Sequence, residues 1–165
     1  YGLRSVALRY FNAAGAHEDG TLGEEHEPEV HLIPLVVAAA LGRRESIDVY
    51  GTDYPTPDGT AVRDYVHVSD LAQAHVDALA YLAKGGAPIA LNIGTGTGHS
   101  VREVIASVER VSGRKVITRD RPRRAGDPPV LVADGSHARR TLGWQPRYTE
   151  LDAIVKTAWR WHESR

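Results

Sequence analysis

One continuous stretch constrains the fold more than any other: Val62-Arg63-Asp64-Tyr65-Val66-His67-Val68-Ser69-Asp70-Leu71-Ala72. Its β-branched and aromatic residues predict a short, half-buried strand. Apolar and small residues then recur at helical spacing and predict the buried stripe of a helix: Leu71, Ala74, His75, Ala78, Leu79 and Leu82. Ser69 or Asp70 is the expected N-cap, because either side chain can accept a hydrogen bond from a free backbone N–H group.

Arg63 lies just before this junction of strand and helix. A junction packed in this way would hold the Arg63 guanidinium in a fixed place, where it could bind an anion. The alternative is a surface arginine that forms an ion pair with Asp64 or Asp70.

Strands and helices alternate along the rest of the chain. Residues 4–11, 47–50, 89–93 and 115–118 are predicted strands, and 34–41, 101–111, 136–142 and 151–159 are predicted helices. Consecutive apolar residues in the first strand are typical of a parallel strand that is buried on both faces. A capping box of Ser100 and Glu103 is expected to begin the helix at 101. This alternation predicts the α/β class, with at least part of a parallel sheet.

Composition excludes several functions. The net charge of −1 provides no basic surface for extended binding of nucleic acid. No apolar run approaches the roughly 20 residues of a membrane span. The chain has no cysteine, which fits a reducing compartment. It also has no methionine, even at position 1, so we expect it to be a fragment of a longer protein.

Two motifs invite a ligand assignment that their spacing does not support. The loop before residue 32 contains Glu24, Glu25, His26, Glu27, Glu29 and His31. These residues match no compact metal-ligand motif, so a solvated acidic loop without a metal is expected. Gly94-Thr95-Gly96-Thr97-Gly98 has His99 where a dinucleotide fingerprint needs its third glycine, so we expect a strand-to-helix turn rather than a phosphate cradle.

Four residues suit a nucleoside diphosphate. Arg63 and Arg124 could neutralise a pyrophosphate through charge-assisted hydrogen bonds, with the amide of Asn12 as a further donor. Tyr50 offers an aromatic face for a base. These residues alone do not define a function.

The order and spacing of seven motifs are more specific. They are Leu8-Arg9-Tyr10-Phe11-Asn12-Ala13-Ala14-Gly15-Ala16, His31-Leu32-Ile33-Pro34, Tyr50-Gly51-Thr52-Asp53-Tyr54, Asp58-Gly59-Thr60, the stretch 62–72, Asn92-Ile93-Gly94 and Arg123-Arg124-Ala125-Gly126-Asp127-Pro128. Together they resemble the UDP-glucose 4-epimerase family, a group of extended short-chain dehydrogenase/reductases. The resemblance covers essentially all 165 residues, as the C-terminal half of such an enzyme.

The resemblance implies an incomplete Rossmann-type parallel sheet together with a smaller α/β substrate-binding domain. Residues 1–165 would mostly form the UDP-sugar-binding domain, while 3–11 and 62–82 would belong to, or pack on, a truncated NAD-binding domain. Such enzymes interconvert UDP-galactose and UDP-glucose in galactose metabolism through a 4-keto intermediate, using tightly bound NAD. The resemblance further implies a cytoplasmic homodimer for the full-length protein.

Site residues also follow from the resemblance. Tyr10 and Phe11 would lie beside NAD. The UDP-sugar would be contacted by Asn12, His31, Leu32, Asp48, Val49, Tyr50, Arg63, Arg124 and Asp127, and Leu131 stands where a residue limits the size of the sugar. Within that set, Arg63 and Arg124 would hold the diphosphate and Asp127 the ribose hydroxyls. His31 replaces the Asn of some members.

The chain lacks the Tyr-x-x-x-Lys pair of these enzymes, so no catalytic residue is assigned and the isolated piece is expected to be inactive. Two alternatives stay open. One is another nucleotide-sugar epimerase, such as a UDP-arabinose 4-epimerase. The other is a non-catalytic module that binds nucleotide sugars.

Overall fold

The computed structural model describes residues 2–165, and Tyr1, the first residue of the predicted domain, lies outside them. Along the chain the elements are β1 (Val6–Arg9), β2 (Asn12–Ala14), α1 (Leu32–Ala40), β3 (Ile47–Tyr50), β4 (Val62–His67), α2 (Val68–Ala83), β5 (Ile89–Asn92), β6 (Gly98–Ser100), α3 (Val101–Ser112), β7 (Thr118–Arg121), β8 (Val130–Leu131), α4 (Ser136–Leu142) and α5 (Leu151–Glu163). Within that range, none of the helices has both the length and the hydropathy needed to cross a membrane.

Short parallel strand pairs make up most of the sheet structure. β1 pairs with β5, β2 with β4, and β3 with β7, all in parallel. β4 also pairs with β8 in parallel and with β6 in antiparallel orientation, so it has the most strand neighbours. Parallel pairs require long crossover connections, which the helices supply. The predicted α/β class is confirmed.

The core consists of two hydrophobic clusters on either side of β4. One cluster includes Tyr65 together with side chains of α1, α3 and α5. The other includes Val66 together with side chains of β5, α2 and α4. Successive residues of a strand point to opposite faces, so β4 contributes to both clusters. The division into an NAD-binding part and a substrate-binding part stays a prediction.

The junction between β4 and α2 is capped differently from the prediction. The Nδ1 atom of His67 accepts the backbone N–H of Ser69 at 3.1 Å, so His67 is the N-cap and the assignment to Ser69 or Asp70 is wrong. The Asp70 carboxylate is buried and accepts the backbone N–H groups of Arg147 and Tyr148, each at 3.0 Å. Asp70 therefore fastens the loop before α5 to the start of α2.

Two predictions of burial are wrong in part. On α2, Leu71, Ala74 and Ala78 are buried, but His75 is exposed and Leu79 is 68% exposed. β1 is not buried on both faces, since Ala7 is exposed. Among residues 2–165, only β5 pairs with β1, so this part of the sheet has little to cover it.

Other predicted elements are close to those observed. The strand at 47–50, the helix at 136–142 and the capping box are confirmed, with Ser100 Oγ accepting the Glu103 N–H at 3.0 Å and Glu103 Oε2 accepting the Ser100 N–H at 2.7 Å. The strand predicted at 4–11 is shorter in the structure, where β1 spans Val6–Arg9, and β2 begins only at Asn12, beyond the predicted end. The strand predicted at 115–118 is displaced to Thr118–Arg121, where it pairs with β3.

Candidate functional site

Two adjoining pockets open beside β2 and the start of α1. The large pocket has a volume of about 670 Å³ and the small pocket about 320 Å³. Their walls share four residues: Asn12, His31, Leu32 and Tyr65. A ligand in one pocket would therefore share a wall with a ligand in the other.

Arg63 lines the small pocket. It lies in β4 between two neighbouring strands, opposite His99 of β6 and Leu131 of β8. Its side chain is only 13% exposed; Nη1 donates to the Val62 carbonyl at 2.7 Å, and Nη2 forms an ion pair with Asp127. Strand pairing on both sides of Arg63 explains why this guanidinium has a fixed position.

Arg63 does not pair with the two carboxylates of the surface alternative. Asp64 is fully buried and accepts the N–H groups of Thr95, Gly96 and Ala133 at 3.1–3.2 Å, together with the Thr95 hydroxyl at 2.7 Å. Asp70 is occupied by the loop before α5. The ion-pair partner of Arg63 is Asp127, a residue that is distant in sequence and lies in the same pocket.

The glycine-rich loop after β5 is held by Asp64. Because the amides of Thr95 and Gly96 donate to this internal carboxylate, they are not free to bind a phosphate. An added Cβ at Gly94 would lie 2.6 Å from Asp64 Oδ2, so the loop approaches the carboxylate closely. The occupied amides agree with the expectation that this loop is not a phosphate cradle, but the loop leads into the short strand β6 rather than directly into a helix.

Arg124 and Asp127 reach the small pocket from one turn of the loop between β7 and β8. The N–H of Asp127 donates to the Arg124 carbonyl at 3.3 Å, and Gly126 has a φ of +78°, which favours glycine. The Arg124 guanidinium stacks on Tyr50, 4.0 Å from the ring centroid. Asp48 lies in the same wall and pairs with Arg121 at 3.0 Å. The pocket thus combines two guanidinium groups with an aromatic ring.

The residues assigned to the cofactor lie in the other pocket. Tyr10 and Phe11 line the large pocket and are 42% and 39% exposed. Asn12 follows them in the wall shared by both pockets, and its Nδ2 donates to the Asp64 carbonyl at 3.4 Å. His31 and Leu32 lie across from it, where α1 begins. Tyr10 and Phe11 therefore line only the large pocket, while Asn12, His31 and Leu32 line the wall that it shares with the small pocket.

Two assigned residues lie away from the cavities. Val49 is fully buried in the core cluster of α1, and Leu131 belongs to β8 without lining either cavity. Conversely, Arg44 and Tyr65 line the small pocket and were not assigned from the sequence. Arg44 follows the end of α1 and belongs to none of the motifs, whereas Tyr65 belongs to the motif 62–72, which was the signal that could have identified it. Burial raises the pKa of Tyr65, so its hydroxyl stays neutral.

The parallel α/β fold and the pocket with two arginines and a tyrosine define a class of protein: an α/β protein whose cleft suits a nucleoside diphosphate. The model of the NAD dependent epimerase/dehydratase family matches residues 1–94, more than half of the chain. The chain belongs to this family, and its architecture includes part of a Rossmann-type sheet.

Individual relatives are closely similar. The UDP-glucose 4-epimerase of Rhizobium meliloti (strain 1021) is 57% identical over 164 residues, covering 99% of this chain and 50% of that protein. A crystal structure of UDP-glucose 4-epimerase from Brucella ovis in complex with NAD has a TM-score of 0.93 at 55% identity, with coverage of 96% and 49%. A UDP-glucose-4-epimerase structure from Stenotrophomonas maltophila with bound NAD and formylated UDP-arabinopyranose has a TM-score of 0.94 at 44% identity, with coverage of 99% and 49%. The chain spans about half the length of the curated relatives it matches. The resemblance to UDP-glucose 4-epimerases is confirmed.

Proposed function

We propose that this chain provides the UDP-sugar-binding part of an NAD-dependent UDP-glucose 4-epimerase. In this proposal, UDP lies in the small pocket and the nicotinamide end of NAD lies against Tyr10 and Phe11 in the large pocket. The sugar then extends past Asn12, from one pocket to the other.

The observation that carries the proposal is the convergence of Arg63 and Arg124 on one small pocket, although they are far apart in sequence. Two guanidinium groups can compensate the charge of a diphosphate, and each presents several donors to phosphate oxygens. Tyr50 supports Arg124 by cation–π stacking and provides an aromatic face at the same end of the pocket. A neutral ligand would gain little from this arrangement.

The ion pair between Arg63 and Asp127 also has a role in the proposal. It holds Arg63 in the pocket without a ligand, and its Asp127 partner is one-third exposed. A diphosphate would then replace Asp127 as the main partner of Arg63. Asp127 would be released toward the ribose hydroxyls, the role that the resemblance gives it.

The relatives support the substrate and the cofactor. Those described above are UDP-glucose 4-epimerases, one structure contains NAD, and another contains NAD with a formylated UDP-arabinopyranose. The second structure also favours the alternative of a UDP-arabinose 4-epimerase. Both candidates use the same UDP contacts and differ only in the sugar.

Calorimetric titration of the chain with UDP, UMP and uridine tests the proposal. UDP is expected to bind most tightly and uridine most weakly, because the two arginines interact with the phosphates. ADP is the matched control for the base, and it is expected to bind more weakly than UDP. Equal affinities for UDP and uridine, or tighter binding of ADP, would contradict a UDP site in the small pocket.

For the whole protein, we propose catalysis in the cytoplasm by a homodimer. Light scattering of the full-length protein tests the oligomeric state. Turnover of UDP-galactose compared with UDP-arabinose distinguishes the two sugar specificities.

A further inference from the structure

The loop that precedes α1 brings together two imidazoles and two carboxylates. Ligand atoms of His26, Glu29 and His31 all lie within 4.8 Å of one another. Glu24 lies beside this group, with its Oε1 atom in a 2.5 Å hydrogen bond with Nδ1 of His31. The spacing of these residues in the sequence does not predict this cluster; the folding of the loop creates it.

The distances are close to those of a metal site. Nitrogen and oxygen ligands bound to a tetrahedral zinc ion at about 2.0–2.2 Å lie roughly 3.3–3.6 Å from one another. The distance from His31 Nδ1 to Glu29 Oε1 is 3.3 Å, and that from His26 Nδ1 to the same oxygen is 4.0 Å. The first of these distances lies in the range of a zinc site, and the second is slightly longer.

Glu29 is already oriented by the backbone. Its Oε1 atom accepts the N–H groups of Val30 and His31, each at 2.7 Å. Hydrogen bonds that orient a ligating carboxylate in this way are typical of the outer shell of a metal site. Glu29 therefore does not have to become ordered when an ion binds.

The charge of the cluster favours a cation. Among residues 2–165, neither Glu24 nor Glu29 forms an ion pair with a lysine or an arginine; their cationic partners are histidines, which are charged only when protonated. With neutral imidazoles the cluster carries two negative charges. A divalent ion would balance them while using the imidazole nitrogens as ligands.

From this geometry we propose that His26, Glu29 and His31 bind a divalent transition-metal ion of the zinc class, with Glu24 hydrogen-bonded to His31 beside it. The site is separate from the arginines of the small pocket. It adjoins both pockets nevertheless, because His31 lies in their shared wall and Glu24 lines the large pocket. A bound ion would fix His31 and, with it, the loop that closes this end of the cavities.

Titration of the chain with Co²⁺, followed by visible absorption, tests the site. One equivalent is expected to produce the d–d bands of a four-coordinate ion, and Zn²⁺ is expected to displace it. His26→Gln is expected to weaken binding by more than about tenfold, the least that loss of even an outer-shell group typically costs. His26 is exposed, so this variant is expected to fold, which circular dichroism checks.

His137→Gln is the matched control, because His137 is also exposed and lies outside the cluster. Its affinity for Co²⁺ is expected to be unchanged. If the wild-type chain shows no d–d bands when it is titrated with Co²⁺, the cluster binds no metal ion and the proposal is overturned. Co²⁺ affinity that is equal in wild type and His26→Gln would overturn it too. UDP titrations of the same samples without metal test the proposed UDP site separately, because His26 lines neither pocket.

Discussion

Replacing Arg63 by alanine is expected to weaken UDP binding by about 10- to 150-fold. The Arg63 side chain is only 13% exposed, so a phosphate that it contacts would be partly shielded from water. Hydrogen bonds to charged groups contribute about 1.5–3 kcal/mol each, and about 1.4 kcal/mol corresponds to a tenfold change in affinity. One charge-assisted contact to phosphate is expected to be lost, because Nη1 of Arg63 already donates to the Val62 carbonyl.

Isothermal titration calorimetry with UDP measures this effect, and uridine provides the internal reference. The loss is expected for UDP and not for uridine, because the guanidinium is proposed to contact phosphate. Arg119→Ala is the matched control, since Arg119 is an exposed arginine that pairs with Glu45 outside both pockets. Unchanged UDP affinity in Arg63→Ala, or an equal loss for uridine, would refute the assignment of Arg63 to the diphosphate.

Further predictions concern stability and activity. Asp64→Ala is expected to lower the free energy of unfolding by at least about 3 kcal/mol, because three backbone N–H groups lose a charged acceptor. A guanidinium chloride titration measures the loss against Asp77→Ala, whose hydrogen bond is exposed, and equal losses would contradict the reasoning. Burial lowers the pKa of His67 in the folded chain below its ordinary value of 6.5. As the pH falls below 6.5, the unfolded chain therefore binds a proton at His67 before the folded chain does. The free energy of unfolding is expected to be highest above pH 6.5 and to decrease as the pH falls below it. Melting temperatures of His67→Gln are expected to depend less on pH, and an unchanged dependence would exclude His67 as the cause. The chain alone is expected not to interconvert UDP-galactose and UDP-glucose, because its 165 residues contain no Tyr-x-x-x-Lys; product formation in a coupled assay would contradict this.

Local signals predicted the elements whose stability is local. The capping box at Ser100 is confirmed because its two hydrogen bonds join residues three positions apart. The strand at 47–50 is also confirmed, although its partner is the distant strand β7, because its own residues favour an extended backbone. The predicted N-cap of α2 is wrong because His67 occupies that position. His67 has a low N-cap preference, but it is buried at a strand end, where its Nδ1 atom accepts the Ser69 N–H. Long-range packing thus overrode residue preference.

Burial on α2 and β1 could not be predicted from periodicity alone. The pattern that includes Leu79 identifies an apolar stripe but does not say how much of it is covered. In the described residues, α2 packs mainly through Leu71, Ala74 and Ala78, and Leu79 remains on the surface. Burial depends on which elements lie nearby, and that is a property of the whole fold.

The sequence by itself determined the α/β class, most of the helices and strands, and the family, because periodicity, caps and spaced motifs are written along the chain. Only the tertiary structure decided which distant side chains share a cavity. It placed Arg63 with Asp127, turned the glycine-rich loop toward Asp64, and gathered His26, Glu29 and His31. The physical reason is that ion pairs, anion cradles and ligand clusters depend on distances through space, which sequence separation does not set.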